Sequence, residues 1–329
     1  MKIQNKFFIF LFLILLVGVV FYSTNNKKET LQIDIGYQSV TSQTWGALII
    51  KNKNIFEDKL KERFKDKDVK VVWHDEISGA VINTNMISGK VQFGFMGDMP
   101  LILNMYKAEN VDDYDSAFLA IDGTGINGTN QSILIPKSSK VKNMEDLKGK
   151  TISTPIGSSA HYMLMKALEK YDMLDDVTIA HQDVALASQL LSTNKTDAFS
   201  IWAPYPNFLV DNGSAKVLLD GKDTEIDYLA GVIVNNNWAK KNQDIVKLFK
   251  ESLDEAHDFI NNNQEEAAEI FAEESGFDLN ITKKEVKNIK WNSEITEKTI
   301  EILEDKQKFL IDLEQIGEFD MKKHIYVEE

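Results

Sequence analysis

Hydrophobic and polar positions follow two alternating periods along the chain from residue 31 onward. Short runs rich in β-branched residues predict strands, and stretches with apolar residues three and four apart predict helices. The predicted strands are Leu31–Gly36, Val69–His74, Val91–Met96, Ser132–Ile135, Lys150–Ser153, Val177–His181, Asp197–Ile201, Lys216–Leu219 and Leu229–Val234. The predicted helices between them are Thr41–Lys51, Ile55–Phe64, Ser78–Ser88, Asp98–Tyr106, Ser159–Tyr171 and Val184–Leu191. This alternation predicts an α/β fold with mostly parallel sheets covered by helices.

Two polar, glycine-containing stretches, Ile121–Asn130 and Asn212–Gly221, interrupt this alternation. Such stretches are typical of linkers or hinges, so we predict two lobes joined by two hinge crossings. The predicted boundaries are 31–121 for lobe 1, 122–218 for lobe 2, and 219–329 for the return to lobe 1 and the C-terminal helices. Open α/β sheets bind ligands beyond the carboxyl ends of their strands. Two such lobes facing each other predict a binding cleft.

The first thirty residues have the pattern of an export segment. Lys2 and Lys6 precede the apolar run Phe7–Tyr22, and the polar segment Ser23–Lys28 follows. This pattern predicts a signal peptide or an uncleaved signal anchor. The absence of a small-x-small cleavage site favours the anchor, whereas sixteen residues span only about 24 Å of a ~30 Å hydrocarbon core. Both alternatives predict an extracytoplasmic protein, in the periplasm or on the outer face of the membrane.

Composition and charge exclude several classes of function. The chain has 329 residues, a formal net charge of −14 and no cysteine. An acidic chain is a poor nucleic-acid binder, because that affinity depends on neutralising phosphates with Lys and Arg. The absence of cysteine excludes disulfides, thiolate metal sites, cysteine nucleophiles and a lipid-modified cysteine. The sequence contains no Gly-x-Ser-x-Gly, Walker or His-Glu-x-x-His motif, so we predict a protein that is not an enzyme and needs neither metal nor cofactor.

Gly123, Gly125 and Gly128 match the spacing of the dinucleotide-binding fingerprint. That motif requires a helix directly after it, which places the pyrophosphate on the helix N-terminus. Here the following segment Thr129–Ile135 is β-branched and is followed by Pro136. We therefore interpret the three glycines as a hinge or a cleft-lining loop.

Small polar residues open several of the predicted helices directly after strands. Helix N-termini carry unpaired N–H groups and a positive dipole end, so they favour bound anions. Each opening could also be a simple N-cap. Arg63 is the sole arginine of the chain, so neutral donors would have to bind the anion. Trp202, pinned by two prolines, could pack between elements or stack on a ligand, and Asp98 could cap its helix or receive a ligand ammonium group.

These segments resemble the nitrate/sulfonate/taurine group of solute-binding subunits of ABC importers, over about residues 31 to 320. The resemblance rests on Ile35–Gln38, Ser78–Gly79, Ile87–Gly94, Gly97–Pro100, Ile133–Pro136, Met144–Lys150, Gly157–His161, Thr196–Ala198 and Trp202–Pro204. It implies a type II periplasmic-binding fold that closes on its ligand by hinge motion and delivers it to an ABC permease and its ATPase. Many members carry a lipobox cysteine, which this chain lacks.

The resemblance also implies a ligand class and a set of contacts. The expected ligand is a small oxyanion-bearing organic solute, an alkanesulfonate or taurine, bound by a monomer. Nitrate, bicarbonate or a thiamine-precursor pyrimidine are alternatives on the same fold, as are a pyrimidine synthase and a membrane-tethered sensory domain. The residues that the resemblance places at the ligand are Gln38, Thr44, Ser78, Gly79, Gly97, Asp98, Ser158, Ser159, His161 and Trp202.

Overall fold

Two β-sheets, each flanked by helices, organise the computed structural model, which describes residues 28–328. The strands are β1 (Thr30–Tyr37), β2 (Asp68–Asp75), β3 (Phe93–Gly97), β4 (Ser116–Gly125), β5 (Gln131–Pro136), β6 (Thr151–Thr154), β7 (Thr178–His181), β8 (Ala198–Trp202), β9 (Ala215–Asp220), β10 (Leu229–Asn235) and β11 (Ile289–Trp291). The first helices are α1 (Gly46–Asn52), α2 (Ile55–Arg63), α3 (Gly79–Ile87), α4 (Asp98–Asn110), α5 (Ser159–Lys170) and α6 (Val184–Ser192). The later helices are α7 (Tyr205–Asp211), α8 (Asn236–Ala239), α9 (Gln243–Asn262), α10 (Gln264–Ser275), α11 (Leu279–Glu285) and α12 (Glu297–Asp312).

The larger sheet has the order β2–β1–β3–β10–β4–β11 and forms lobe 1, and the smaller sheet has the order β7–β6–β8–β5–β9 and forms lobe 2. In lobe 1, β1 pairs in parallel with β2 and β3, and β10 lies antiparallel between β3 and β4. In lobe 2, β6 pairs in parallel with β7 and β8, and β5 is antiparallel to β8 and β9. The strand at which the chain enters lobe 2, β5, therefore runs opposite to the other strands of its sheet, and the strand at which it returns to lobe 1, β10, runs opposite to all strands of its sheet except β11. The predicted α/β class with two lobes is confirmed, with sheets that are mixed rather than uniformly parallel.

The chain changes from one sheet to the other at residues 126–130 and again at 221–228. The strand before the glycine motif continues through Gly123 to Gly125, beyond the predicted lobe boundary at 121/122. The strand can continue because glycine allows close packing: a Cβ on Gly123 would lie 2.8 Å from the backbone oxygen of Gln43. After Gly128 the chain enters β5 rather than a helix, as expected for a motif that does not bind a dinucleotide.

The two crossings pack directly against each other. The backbone N–H of Gly125 donates to the oxygen of Tyr228 at 2.7 Å, and that of Gly128 donates to Oδ1 of Asp227 at 2.7 Å. A Cβ on Gly221 would lie 2.1 Å from the oxygen of Gly128, so the contact requires glycine there. Gly128 itself has a φ of +71°, which an L side chain rarely adopts. Movement of one lobe relative to the other must therefore bend both crossings together.

An aromatic group from α2, β3 and α9 lies within the core of lobe 1. Phe93 stacks on Phe249 with ring centroids 4.1 Å apart, and Phe56 contacts both rings edge-on. Helix α9 also buries His257, whose Nε2 lies 2.8 Å from Oδ1 of Asp122 at the end of β4. The resulting rigid layer supports the loops that follow β1 and β3.

Within residues 28–328, no helix is both long enough and apolar enough to cross a membrane. The apolar segment Phe7–Tyr22, predicted to be a signal peptide or anchor, lies outside the described residues.

Candidate functional site

A cleft of about 250 Å³ lies between the lobes, at the carboxyl ends of the parallel strands. Lobe 1 contributes the segments after β1, β2 and β3, and lobe 2 contributes those after β6, β7 and β8. Seven of the ten residues predicted from the sequence line this cleft: Gln38, Ser78, Gly79, Gly97, Ser158, Ser159 and Trp202. Thr44, Asp98 and His161 do not line it.

The N-termini of α3 and α5 reach the cleft from opposite lobes. Ser78 precedes α3 in an extended conformation, and Ser158 precedes α5, where its Oγ accepts a hydrogen bond from the backbone N–H of His161 at 3.3 Å. The first N–H groups of a helix have no partner within the helix. A Cβ on Gly79 would lie 2.5 Å from Cγ of Pro100, so only glycine allows α3 to begin this close to α4. Two sets of N–H donors, one from each lobe, thus lie at the wall of one cavity.

The third helix start, at α4, is occupied by its own carboxylate. Asp98 is fully buried, and its Oδ1 accepts from the backbone N–H of Met99 at 2.8 Å. The side chains of Ser159 and Lys306 also donate to this carboxylate. Pro100 has no N–H to offer at this helix start. Asp98 therefore has its partners within the protein. Helix α4 forms part of the cleft wall but offers no free N–H donors to an anion.

Thr44 and His161 shape the loops behind the cleft. Thr44 Oγ1 donates to the backbone oxygens of Gln38 at 2.8 Å and Thr41 at 2.9 Å, which holds the turn after β1. His161 Nδ1 accepts from the backbone N–H of Gly157 at 3.2 Å. Burial lowers the pKa of His161 to about 4, so its imidazole is neutral near pH 7. It therefore adds no positive charge to the cleft at that pH.

Trp202 connects the two lobes as well as lining the cleft. Its Nε1 donates to Oγ1 of Thr41 in lobe 1 at 3.2 Å. The adjacent Ala203 accepts a hydrogen bond from the backbone N–H of Ser42 at 3.3 Å. The indole ring is thus held by a bond at its nitrogen and by a bond at the neighbouring backbone, and it packs against the apolar cluster of lobe 2. Trp202 therefore packs within lobe 2 and also forms part of the cleft wall.

Several lining residues have no local signal in the sequence. Tyr228 comes from the second crossing and Gln315 from the segment after α12. Tyr228 is buried beside Gly97, where a Cβ would lie 2.6 Å from the phenol oxygen. Burial raises the pKa of Tyr228 well above its usual value, so the phenol stays protonated. Pro100, Leu103 and Ile156 add an apolar wall.

The charge of the cleft wall is low. Among the described residues that line it there is no Lys or Arg, and the ionisable side chains are His181, Asp183 and the protonated Tyr228. His181 and Asp183 are well exposed, with 60% and 89% of their side-chain surface accessible. Between residues 28 and 328 no group of three or more His, Asp or Glu side chains could hold a metal ion. The arrangement can bind an anionic head through neutral N–H and hydroxyl donors and an organic tail through apolar contacts.

Two α/β lobes, two adjacent crossings and a cleft between the lobes define the two-lobed, type II periplasmic-binding fold. The chain belongs to the NMT1/THI5-like family, whose model matches residues 55–267.

Similar proteins agree with this class. A Bacillus subtilis (strain 168) protein with the provisional name of aliphatic sulfonates-binding protein is 29% identical over 292 residues, which cover 86% of this chain and 84% of that protein. The taurine-binding periplasmic protein of Escherichia coli (strain K12) is 29% identical over 203 residues, 60% of each chain. Among solved structures, the alkanesulfonate-binding protein SsuA from Xanthomonas axonopodis pv. citri, bound to MOPS, has a TM-score of 0.75 at 20% identity and covers 91% of this chain and 99% of its own.

Proposed function

We propose that this protein captures a small organic sulfonate outside the cytoplasm and delivers it to an ABC permease and its ATPase. The observation that carries the proposal is the pair of helix N-termini, α3 and α5, that reach one cavity from opposite lobes. A sulfonate presents several acceptor oxygens around one sulfur atom, so it can accept hydrogen bonds from both lobes at once. Closure of the lobes would then add the second set of donors and couple binding to a change of shape.

The lining of the cleft favours an alkanesulfonate over the alternatives. Nitrate and bicarbonate have no organic tail to cover the apolar surface of Leu103 and Ile156. Taurine carries an ammonium group that needs a carboxylate, but Asp98 is buried with its own partners, and Asp183 is exposed at the rim. The names of the relatives in Bacillus subtilis and Escherichia coli support a sulfonate ligand in general. An extracytoplasmic location is supported by the periplasmic relative, and the role of Phe7–Tyr22 as signal or anchor remains a prediction from the sequence.

Isothermal titration of the purified protein with a ligand panel tests this function. The panel contains ethanesulfonate, butanesulfonate, taurine, nitrate and a thiamine-precursor pyrimidine. We expect binding heat with the two alkanesulfonates, weaker binding of taurine, and none with nitrate. Heat with none of the sulfonates would overturn the proposal, and heat with the pyrimidine alone would favour that alternative.

A charge placed at the start of α3 tests where the anion binds. In Ala80→Glu the new carboxylate would stand at the cleft lining beside the N-terminal donors. Like charges in contact cost several kcal/mol, so we expect butanesulfonate binding to weaken roughly a hundredfold or more. Thr84→Glu is the matched control, because Thr84 lies one turn further along the same helix, is exposed and does not line the cleft. Equal affinities of the two variants would show that the anion does not bind at α3.

A further inference from the structure

We propose that Lys306, Asp98 and Ser159 form an interlobe relay that positions the N-terminus of α5 against lobe 1. In this relay the Ser159 hydroxyl is a closing contact between the lobes, and Lys306 is a positioning residue that acts through Asp98. The consequence for ligand affinity rests on the proposed function. The consequence for the closing of the lobes does not.

The relay begins with a carboxylate that belongs to lobe 1. Asp98 opens α4 and is fully buried, and both of its oxygens are used. Oδ1 accepts from the Met99 backbone N–H and from the Ser159 hydroxyl, and Oδ2 accepts from the Leu229 backbone N–H at 3.3 Å and from Lys306 Nζ. Because Ser159 belongs to α5 in lobe 2, its bond to this carboxylate crosses from one lobe to the other.

Lys306 connects the same carboxylate to the second crossing. It lies on α12, only 1% of its surface is exposed, and its Nζ also donates to the backbone oxygen of Asp227 at 2.7 Å. The Asp227 side chain in turn accepts from the backbone N–H of Gly128 in the first crossing. Lys306 Nζ is also 5.8 Å from the ring centroid of Tyr162 in lobe 2, within cation–π range. The relay therefore touches both lobes and both crossings.

This arrangement changes what the Ser159 hydroxyl is expected to do. Its donor hydrogen is directed to Asp98, so the donors that α5 offers to a ligand are its backbone N–H groups. Hydrogen bonds to a charged partner are among the stronger ones in proteins. Opening the lobes must break this bond, so the relay favours the closed arrangement. Apparent affinity rises with the fraction of molecules already in the binding-competent conformation.

Distance measurements between the lobes test the relay without any ligand. The chain has no cysteine, so Thr84→Cys in lobe 1 and Gln189→Cys in lobe 2, both exposed, can carry spin labels on an otherwise unlabelled protein. Pulsed electron–electron double resonance measures the distance between the two labels. In the ligand-free protein it should show a population at the label separation expected for the lobe arrangement of this structure. In Ser159→Ala we expect the ratio of open to closed molecules to rise roughly tenfold or more. Identical distance distributions with and without Ser159 would overturn the proposal.

Two further variants separate the relay from a general loss of packing. Ser153→Ala is the matched control, because Ser153 is 3% exposed against 4% for Ser159, and its hydroxyl pairs with Thr196 inside lobe 2. It should leave the distance distribution unchanged. Ser159→Thr keeps the hydroxyl and should restore the closed population. A shift in Ser153→Ala as large as that in Ser159→Ala would show that the effect is not specific to the relay.

The role of Lys306 is tested by removing both charges together. In Asp98→Leu with Lys306→Met no charge is left buried and residue 98 has no oxygen that could accept from Ser159, so the relay is lost without leaving an unpaired buried charge. We expect the same shift towards open molecules as in Ser159→Ala, and little further effect when Ser159→Ala is added. Additive shifts would show that Ser159 closes the lobes through some other partner. If butanesulfonate fails to bind while these shifts occur, the relay stands and the proposed ligand is wrong.

Discussion

Two buried carboxylates join the lobes, and their surroundings differ in one respect. Asp98 lies beside the cleft and has a lysine partner, Lys306, that is itself buried. Glu285, at the end of α11, is 1% exposed and accepts from Asn207 Nδ2 at 2.6 Å, Asn130 Nδ2 at 3.0 Å and Ser42 Oγ at 3.5 Å. These three partners belong to lobe 2, the first crossing and lobe 1. Each carboxylate thus ties several parts of the molecule together, but only Asp98 has a charged partner in hydrogen-bonding contact.

The Asp98 contact therefore depends on its ion pair with Lys306, whereas the Glu285 contact depends on pH. Burial raises the pKa of Glu285 to about 7, although its amide and hydroxyl partners act in the opposite direction. The ammonium group of Lys284, the preceding residue, donates to Asp211 on the surface, and Asp220 lines the same small cavity as Glu285. The Glu285 carboxyl, beside the crossings, therefore changes its charge near neutral pH. We infer that the cleft side holds its geometry by an ion pair and the crossing side by hydrogen bonds from uncharged donors.

The largest effect is expected from Lys306→Met, which makes the surroundings of Asp98 similar to those of Glu285. Removing one partner of a buried ion pair leaves an uncompensated charge, so we expect the free energy of unfolding at pH 7.5 to fall by about 3–5 kcal/mol. Urea unfolding followed by circular dichroism measures it. The control is Lys283→Met, which removes the surface partner of Glu265 and should cost much less, because solvent screens a surface ion pair. Equal losses in the two variants would contradict the distinction between the two kinds of contact.

Glu285→Gln is expected to remove a pH dependence of up to about 3 kcal/mol, since each unit of pKa shift corresponds to ~1.4 kcal/mol. Glu285 keeps its proton to a higher pH in the folded chain than in the unfolded chain. Its contribution to stability is therefore complete below about pH 4.5 and is lost as the pH rises through about 7. The measurement is the difference in unfolding free energy between the wild type and the variant from pH 4.5 to 8.

We expect the unfolding free energy of the wild type minus that of the glutamine variant to fall as the pH rises, because only the wild type loses the contribution of the protonated Glu285. Glu294→Gln, at an exposed position, is the control and should show a nearly constant difference. A constant difference for Glu285→Gln as well would mean that the buried carboxyl does not titrate differently in the folded protein.

The predicted residues that line the cleft are those whose sequence signals are local. Strand ends followed by Ser-Gly or Gly-Ser-Ser are visible in the chain, and parallel strands bring such ends to one edge of a sheet. Ser78 and Ser158 lie at such edges of two different sheets, and both line the cleft because these two edges face each other.

Helix capping was one of the two predicted roles of Asp98, but its ion pair could not be predicted because the partner is distant in the sequence. Asp98 and Lys306 are 208 residues apart, and no periodicity links them. A signal was nevertheless present, since Lys306 lies on the apolar stripe of its helix between the buried Leu303 and Leu310. Tyr228 and Gln315 reach the cleft only through the path of the crossings and the C-terminal segment. The partners of β4 likewise come from later strands, so its extension to Gly125 has no local sign.

Trp202→Phe should give the smallest effect and shows what an interlobe bond between neutral groups contributes. The variant keeps an aromatic ring at the cleft but loses the bond from Nε1 to Thr41 Oγ1, whose length is 3.2 Å. A neutral hydrogen bond contributes about 0.5–1.5 kcal/mol, so we expect the ratio of open to closed molecules to rise roughly twofold to tenfold.

Trp291→Phe is the matched control, because Trp291 Nε1 donates at the same 3.2 Å distance to Val286 within lobe 1. The same labelled pair, at Thr84 and Gln189, reports the result at pH 6 and pH 8. Because neither Trp202 nor Thr41 is ionisable, the shift should be equal at both pH values, in contrast to any effect that depends on Glu285. A shift that changes between pH 6 and pH 8, or one that Trp291→Phe reproduces, would mean that the cleft-side and crossing-side contacts do not act separately.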